Sequence, residues 1–329
     1  MSSTKVVTSY FLFANNEATY GSGAVITGSL HTIRVVEDFP IFNLDFLWDG
    51  NRNGGGYSGG NIRRSPPNGK QCSGKVKLEI QGLGTAYASS SVGTVPNLHP
   101  FLLASGLSAS LNGTTWVYKP LPMDTADSSL GLQMYDRKEC LNVSGAYCTF
   151  TITGEGGGIG YFEFDVKGLP SAILDYSSST SIPARVWRDT VAIPPKLEAL
   201  SLTIGSYTPV VKKFTYEHNL EIFPRLNLNT SSSHAGFGIG RRDPTFKLTI
   251  EADAQATYDP YADWANGTSR TLAFQIGQVG NNRFAVSMSQ AILTKCERTA
   301  EDKVATFDLE FKPFVSQSDT SDDVQFIFL

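Results

Sequence analysis

Two pairs of carboxylates in this chain could do chemistry, Glu163 with Asp165 and Asp308 with Glu310. A glycosidase needs two carboxyl groups at a controlled separation, one of them with a raised pKa. In both pairs, however, one apolar residue separates the acids, and side chains two residues apart in a strand point to the same face of a sheet. The spacing therefore predicts a solvated strand face. A more specific form of this interpretation is that the face lines an aqueous tunnel.

The other motifs that suggest catalysis or cofactor binding do not fit the chemistry they would need. GGGYSG (54–59) matches G-x-G-x-x-G, but Pro66 and Pro67 prevent the helix that a dinucleotide site opens. The four histidines lack the spacing of a zinc-protease helix, and no G-x-S-x-G nucleophile motif is present. The four cysteines have no zinc-type spacing, so we expect free thiols in a reducing cytosol. We therefore expect no enzyme, no cofactor and no metal.

Each half of the chain contains a long loop that ends in two adjacent arginines. The loops cover residues 49–74, which are rich in glycine, and residues 229–244. One interpretation is a solvated loop. The other is a loop that docks on a neighbouring subunit, because the planar guanidinium pairs with carboxylates through two hydrogen bonds. The candidates for such contacts are Tyr57, Arg63, Arg64, Arg241 and Arg242.

The elements that position these residues are mostly strands. Four segments alternate strictly between apolar and polar residues, which predicts strands with one buried face. They are KVKLEI (75–80), YFEFDVK (161–167), TFKLTIE (245–251) and TFDLEFK (306–312). Helical signals are limited to residues 98–107 and 258–267, each with a proline near its start and a glycine near its end.

These elements form an internal repeat. In both halves, a loop ending in paired arginines precedes an alternating strand, a short helix, a short apolar segment and a closing strand. The closing strands read Phe-acid-apolar-acid-apolar-Lys in both copies. We therefore predict two domains, 1–195 and 196–329, with a boundary near Ile193-Pro194-Pro195. The fold class predicted is mainly β, with two tandem β-sandwich or small-barrel domains that each carry one short α-helix and one long loop.

Charge and hydropathy exclude some partners. The net charge is −4, whereas a protein that grips nucleic acid is basic. The chain could still surround DNA without holding it. The N-terminal residues lack the pattern of a secretory signal, and no stretch approaches the ~20 apolar residues of a membrane span. We therefore expect a soluble protein made in a cytoplasm, with no membrane partner.

At this point the sequence resembles the tail tube proteins of bacteriophages, also called major tail proteins. The segments that carry the resemblance are FANNEATYGSGAVIT (13–27), LHPFLLASGL (98–107), WVYKPLPMDTADSSLGLQMYD (116–136) and AYCTFTITGEGGGIGYFEFDVKGLP (146–170). The second half, with TFDLEFKPF (306–314) and DDVQFIF (322–328), looks like a second tube domain. The resemblance covers nearly the whole chain. Many members of the family have a single domain, so a ring of this chain would contain six copies if its second half were a decoration domain.

The resemblance implies a structural virion protein without catalytic activity. Tube domains join into rings of six, and the rings stack into a hollow tube through which DNA leaves. A chain with two such domains would form a ring from three copies. If each domain gives four strands, the inner barrel has about 24 strands and is roughly 45–50 Å across. Such a barrel is wider than a DNA duplex.

Further expectations concern contacts and location. We expect Glu163, Asp165, Asp308 and Glu310 to face the lumen, and the two long loops to bridge stacked rings. The expected partners are further copies of this chain, a tape-measure protein and then DNA in the lumen, and tail-tip and terminator proteins. Assembly would occur in the host cytoplasm, and the product would be part of the virion. The alternatives are a tail-terminator or baseplate ring protein and a carbohydrate-binding β protein, with an enzyme as the last choice.

Overall fold

The computed structural model describes residues 11–27, 31–36, 43–47, 68–87, 95–122, 125–135, 139–175, 193–197, 201–227, 229, 234–301, 303–315 and 323–329. Within these ranges the protein is mainly β, as predicted, with 18 strands and two short helices. The four alternating segments all lie in strands. Their apolar residues are buried and most of their polar residues reach the surface, because successive side chains of a strand point to opposite faces. The exceptions are Thr245 and Thr306, which are buried.

The described elements of the first half are β1 (Phe11–Asn16), β2 (Thr32–Ile33), β3 (Asn43–Leu47), β4 (Asn68–Glu79), α1 (His99–Ala104), β5 (Leu107–Asn112), β6 (Thr115–Pro120), β7 (Leu130–Tyr135), β8 (Glu139–Glu155) and β9 (Tyr161–Asp175). Those of the second half are β10 (Ser201–Ile204), β11 (Val211–Glu217), β12 (Leu220–Leu226), β13 (His234–Arg242), β14 (Thr245–Glu251), α2 (Pro260–Asn266), β15 (Ser269–Ile276), β16 (Phe284–Glu301), β17 (Val304–Pro313) and β18 (Gln325–Phe328).

The two halves pair their strands in the same order. The first half runs β1-β7-β8-β9-β4, and the second half runs β10-β15-β16-β17-β14, with every pair antiparallel. In both halves, the last strand of this order has a second partner on its other edge, and that partner comes earlier in the chain. It is β3 for β4 in the first half and β11 for β14 in the second. This repeated topology agrees with the duplication predicted from the sequence.

The two halves are joined into one sheet. Strand β11 of the second half pairs with β14 on one edge and with residues 151–155 of β8 on the other. At another place, β18 links β16 to β6 of the first half. The resulting 16-stranded sheet does not close into a barrel within the residues that the structure describes. The inner barrel expected for a ring of copies stays a prediction.

The hydrophobic core also extends across both halves. The Phe150 ring of the first half lies 5.4 Å from Phe326, and Phe162 lies 5.5 Å from Phe284. Each of these four rings is at most 2% exposed, and burial of one such side chain contributes about 1.5–3 kcal/mol. We expected two separate cores, one in each domain. The division at residue 195 stays a prediction, because sheet and core continue from one half to the other.

Both short helices occur where the sequence predicts them. Helix α2 has Asp259 as its N-cap, and the carboxylate accepts hydrogen bonds from the backbone N–H groups of Tyr261 and Ala262, both at 3.1 Å. It ends at Gly267, whose φ of 60° is the left-handed conformation that glycine adopts without a steric penalty. Helix α1 lacks a side-chain cap, and its own residues Pro100 and Phe101 are buried.

Both segments expected as long loops contain strand residues: β4 begins at Asn68, within the loop expected at 49–74, and β13 lies within the loop expected at 229–244. Strand β13 pairs with β12 to form a separate two-stranded sheet that packs against β8 and β9 of the first half. The backbone N–H of Phe237 donates to the Tyr20 hydroxyl at 2.6 Å. Gly236, at φ 115°, lies directly against the Tyr20 ring, where a Cβ would collide. The first half thus helps to hold this segment in a strand conformation.

Candidate functional site

The two predicted acidic pairs lie on the outer faces of β9 and β17. The apolar residues between them are buried, with Phe162 and Phe164 at 0% exposure and Leu309 at 2%. The carboxylates of Glu163, Asp165, Asp308 and Glu310 are all partly exposed. Each strand therefore has one face in the core and one acidic face in solvent, as the alternating pattern predicts.

The register of the strands places all four acids on one continuous face. Glu163 lies opposite Thr151 in β8, which lies opposite Glu217 in β11. Two residues along β11, Thr215 lies opposite Lys247 in β14, and Lys247 lies opposite Glu310 in β17. Direct cross-strand partners share a face. We name this surface the polar face. It comprises Lys75, Lys77, Glu163, Asp165, Thr151, Thr153, Lys213, Thr215, Glu217, Lys247, Thr249, Asp308, Glu310, Lys295 and Glu297.

Lysines pair with several of these acids, which the sequence analysis did not anticipate. The Lys75 ammonium contacts Glu163 and lies 3.6 Å from Asp165, and these acids raise the pKa of Lys75. Lys247 lies 2.6 Å from Glu217. The sequence could have predicted these ion pairs, because lysines and acids occupy the same alternate positions of the alternating segments and therefore lie on the same strand face. The polar face therefore carries charges of both signs rather than an acidic field.

The polar face has a depression in the part that the second half contributes. A shallow depression of about 430 Å³ lies over β11, β14, β16 and β17. Its polar lining comprises Lys213, Thr215, Lys247, Thr249, Lys295, Asp308 and Glu310. Within it, the Thr249 hydroxyl donates to the Asp308 carboxylate at 2.7 Å.

The paired arginines have different environments. Tyr57, Arg63 and Arg64 lie outside the described residues. Arg241 is exposed on β13. Arg242 turns inward, and its Nη2 lies 2.7 Å from the Asp323 carboxylate, with the two side chains 18% and 4% exposed. Arg242 is thus engaged within its own chain, whereas Arg241 faces solvent.

Groups that could catalyse a reaction are dispersed or buried. Among the described residues, no group of three or more His, Cys, Asp and Glu side chains could hold a metal ion. His218 is fully buried. Its Nε2–H donates to the Ser105 carbonyl at 3.0 Å, and its Nδ1 forms a hydrogen bond with the Tyr216 hydroxyl at 3.1 Å. Burial lowers its pKa well below 6.5, and the charge of Arg242 acts in the same direction. This histidine joins the second half to helix α1.

The four cysteines are free thiols, in agreement with the sequence prediction. Three are fully buried, and only Cys296 is partly exposed. Burial raises the pKa of Cys72 and of Cys148 to about 12. A thiol with a raised pKa is a poor nucleophile at neutral pH, because the thiolate is the reactive form.

Comparisons with known proteins do not assign a family to the chain. No protein-family model matches it, and no curated protein matches it in sequence. Within the described residues, no helix is long and apolar enough to cross a membrane.

Proposed function

We propose that this protein is a structural subunit of a bacteriophage tail tube. Copies of the chain assemble into rings, and the rings stack into a hollow tube that conducts DNA during ejection. The subunit is a component of the virion and has no catalytic role. Its partners are further copies of itself, a tape-measure protein and then DNA in the lumen, and the tail-tip and terminator proteins at the two ends.

The observation that carries this proposal is the polar face. Both halves contribute to it with equivalent strands, and it is continuous from β4 through β9, β8, β11, β14 and β17 to β16. Among the described residues, this face carries no cluster of His, Cys, Asp and Glu side chains that could hold a metal ion. Around a closed ring, the same surface becomes the wall of an aqueous channel.

The charges on the polar face suit a conduit. DNA binds proteins tightly where lysines and arginines neutralise its phosphates and release counterions. Here Lys75, Lys247 and Lys295 lie beside carboxylates, with Lys295 at 2.9 Å from Glu297. Their positive charges are therefore compensated locally. Such a wall neither holds DNA in place nor strongly excludes it.

The number of strands fits a ring of three copies. The polar face includes three described strands of the first half and four of the second. The backbone N–H of Val36 donates to the carbonyl of Lys77 in β4 at 3.0 Å, so a further segment of the first half runs beside β4. Four strands from each half give about 24 for three copies, and a barrel roughly 45–50 Å across.

Contacts between stacked rings involve the glycine-rich segment of the first half and the β12–β13 hairpin of the second. Residues 49–67 carry Tyr57, Arg63 and Arg64, and in the second half Arg241 is the exposed member of its pair. Deletion of residues 53–60 should block growth of the tube and leave rings soluble. Normal tubes from the deletion variant would contradict this assignment.

Negative-stain electron microscopy of the purified chain tests the proposal. Hollow tubes, or stacked rings with an open centre, are expected. Single rings that never elongate would favour the alternative of a tail-terminator or baseplate ring protein. A protein that stays monomeric at all concentrations would contradict both, and glycan binding by that monomer would favour the carbohydrate-binding alternative.

A further inference from the structure

Strand β8 pairs with β11 of the second half along residues 151–155. Along residues 151–153 its other edge also pairs with β9. The contact with β11 is close, because Gly154 lies directly beneath the Phe214 ring. The backbone N–H of His218 extends this pairing and donates to the Phe150 carbonyl at 2.9 Å.

The equivalent stretch of β16 lacks this second partner. In the repeat, Phe164 of β9 corresponds to Leu309 of β17, and their partners are Phe150 in β8 and Cys296 in β16. Residues 297–301 of β16 therefore correspond to residues 151–155 of β8. On one edge, residues 297–301 pair with β17. On the other edge of β16, the pairing with β15 stops at Ile292 and does not reach these residues. Among the described strands, none occupies the other edge.

The unoccupied edge of β16 presents backbone donors and acceptors. Two residues separate Glu301 from Val304, which pair with each other. In a two-residue hairpin the closing pair exchanges both backbone hydrogen bonds, so every second residue before Glu301 also bonds to β17. The N–H and C=O groups of Cys296, Arg298 and Ala300 consequently point outward. These residues correspond to the residues of β8 whose backbone N–H and C=O groups point toward β11.

Exposed aromatic side chains lie next to this edge. Tyr261 and Trp264 of helix α2 are 46% and 55% exposed, and the Trp264 indole N–H donates to the Thr294 carbonyl at 3.2 Å. In the first half, by contrast, Phe101 of helix α1 is fully buried. Leu220 and Ile239 of the second half cover the C-terminal end of α1 at Gly106. Helix α2 has no such cover from its own chain among the described residues.

The complementary surface is at the opposite end of the sheet. Strand β3 pairs only with β4 among the described strands, so its outer edge is open. The backbone N–H of Val36 donates to the carbonyl of Lys77 in β4. In the repeat, the part of β14 that corresponds to Lys77 pairs with β11. The second half uses β11 to cover β8 of the first half. Among the described strands, β3 has no partner other than β4.

We propose that a second copy of this chain occupies the open edge of β16. The part of its first half that carries Val36 and β3 pairs with residues 296–300, and its first-half domain covers Tyr261 and Trp264. The two surfaces differ and lie at opposite ends of one sheet, so the contact is head-to-tail and closes a ring when the rotation per copy permits. This inference builds on the proposed ring assembly and identifies the contact that forms it.

A proline at Arg298 tests the pairing. Arg298→Pro removes an outward backbone N–H and leaves the hydrogen bonds to β17 in place, which edge strands tolerate. Arg298→Ala is the matched control, because it removes the side chain and keeps the N–H. We expect Arg298→Pro to remain a monomer by size-exclusion chromatography with light scattering, while Arg298→Ala assembles like the unmodified chain. Normal assembly of the proline variant would overturn the inference and leave the proposed function standing.

Thiol labelling controls for folding and gives a second test. Of the four cysteines only Cys296 is partly exposed, so a folded monomer should react with N-ethylmaleimide at one site and an unfolded chain at four. In rings of the unmodified chain, Cys296 should lose its reactivity, because its counterpart Phe150 is 2% exposed where β11 covers it. Rings in which Cys296 reacts as fast as in free subunits would overturn the pairing, even if Arg298→Pro fails to fold. An unmodified chain that forms no rings would overturn both the pairing and the proposed function.

Discussion

Replacement of Arg242 by methionine should destabilise the protein far more than the same change at its neighbour Arg241. The two arginines are adjacent in β13, but among the described residues only Arg242 forms an ion pair, at 2.7 Å from Asp323. Asp323 is 4% exposed and precedes the C-terminal strand β18. The ion pair therefore links the β12–β13 hairpin to the strand that joins both halves.

The magnitude follows from the burial of the pair. Methionine has a similar length and no charge, so Arg242→Met leaves the Asp323 carboxylate in the interior without its cation. Removing one partner of a buried ion pair costs about 3–5 kcal/mol. Arg242 itself is 18% exposed, so solvent screens the interaction only slightly. Arg241 is exposed and pairs with no carboxylate among the described residues, so Arg241→Met should change stability by less than about 0.5 kcal/mol.

Urea denaturation followed by circular dichroism measures these free energies of unfolding. The double variant Arg242→Met with Asp323→Asn removes both charges and should recover more than half of the loss, because no buried charge remains uncompensated. Equal denaturation midpoints for Arg242→Met and Arg241→Met would refute the assignment of Arg242 to a structural ion pair. They would restore the interpretation of both arginines as a docking pair.

Two further predictions concern the junction of the halves. Burial keeps His218 neutral and its pKa well below 6.5, so its contribution to stability is full above pH 6.5 and falls as the pH drops below that value, by up to about 1.4 kcal/mol per pH unit. Urea unfolding between pH 7 and 5 should show this loss, and His218→Gln should lack it; identical pH profiles would contradict the assignment. Gly154→Ala should destabilise the protein by about 1–3 kcal/mol, since its Cβ would collide with the Phe214 ring and lie 2.9 Å from Leu197. The control Gly156→Ala, whose nearest contact is 3.8 Å away, should be nearly neutral, and equal midpoints for the two alanine variants would argue against a tight junction.

Local sequence patterns predicted the elements well. Strict alternation identified β4, β9, β14 and β17, because each has one buried and one solvated face over at least six residues. Proline near the start and glycine near the end located both helices. Five sequence elements recur in the same order in both halves, and this repeat predicted a duplication. The strand order of the two halves agrees with that prediction.

Long-range contacts were not predictable from local patterns. Strand β13 was expected as a loop, because its glycines and the serines before it are typical of turns. Its conformation is supported by Tyr20, which lies 217 positions away from Phe237 in sequence. The inward turn of Arg242 depends on Asp323, 81 positions further on. The pairing of β11 with β8, which merges two expected domains into one sheet, is likewise absent from any local periodicity.

Electron cryomicroscopy of the assembled protein tests the central claim most directly. We predict a ring of three copies in which the strands form one uninterrupted barrel, with Glu163, Asp165, Asp308 and Glu310 facing its bore and β16 paired with the first half of the next copy. A map that places these four acids on the outer surface, or particles without any annular contact between copies, would contradict the account.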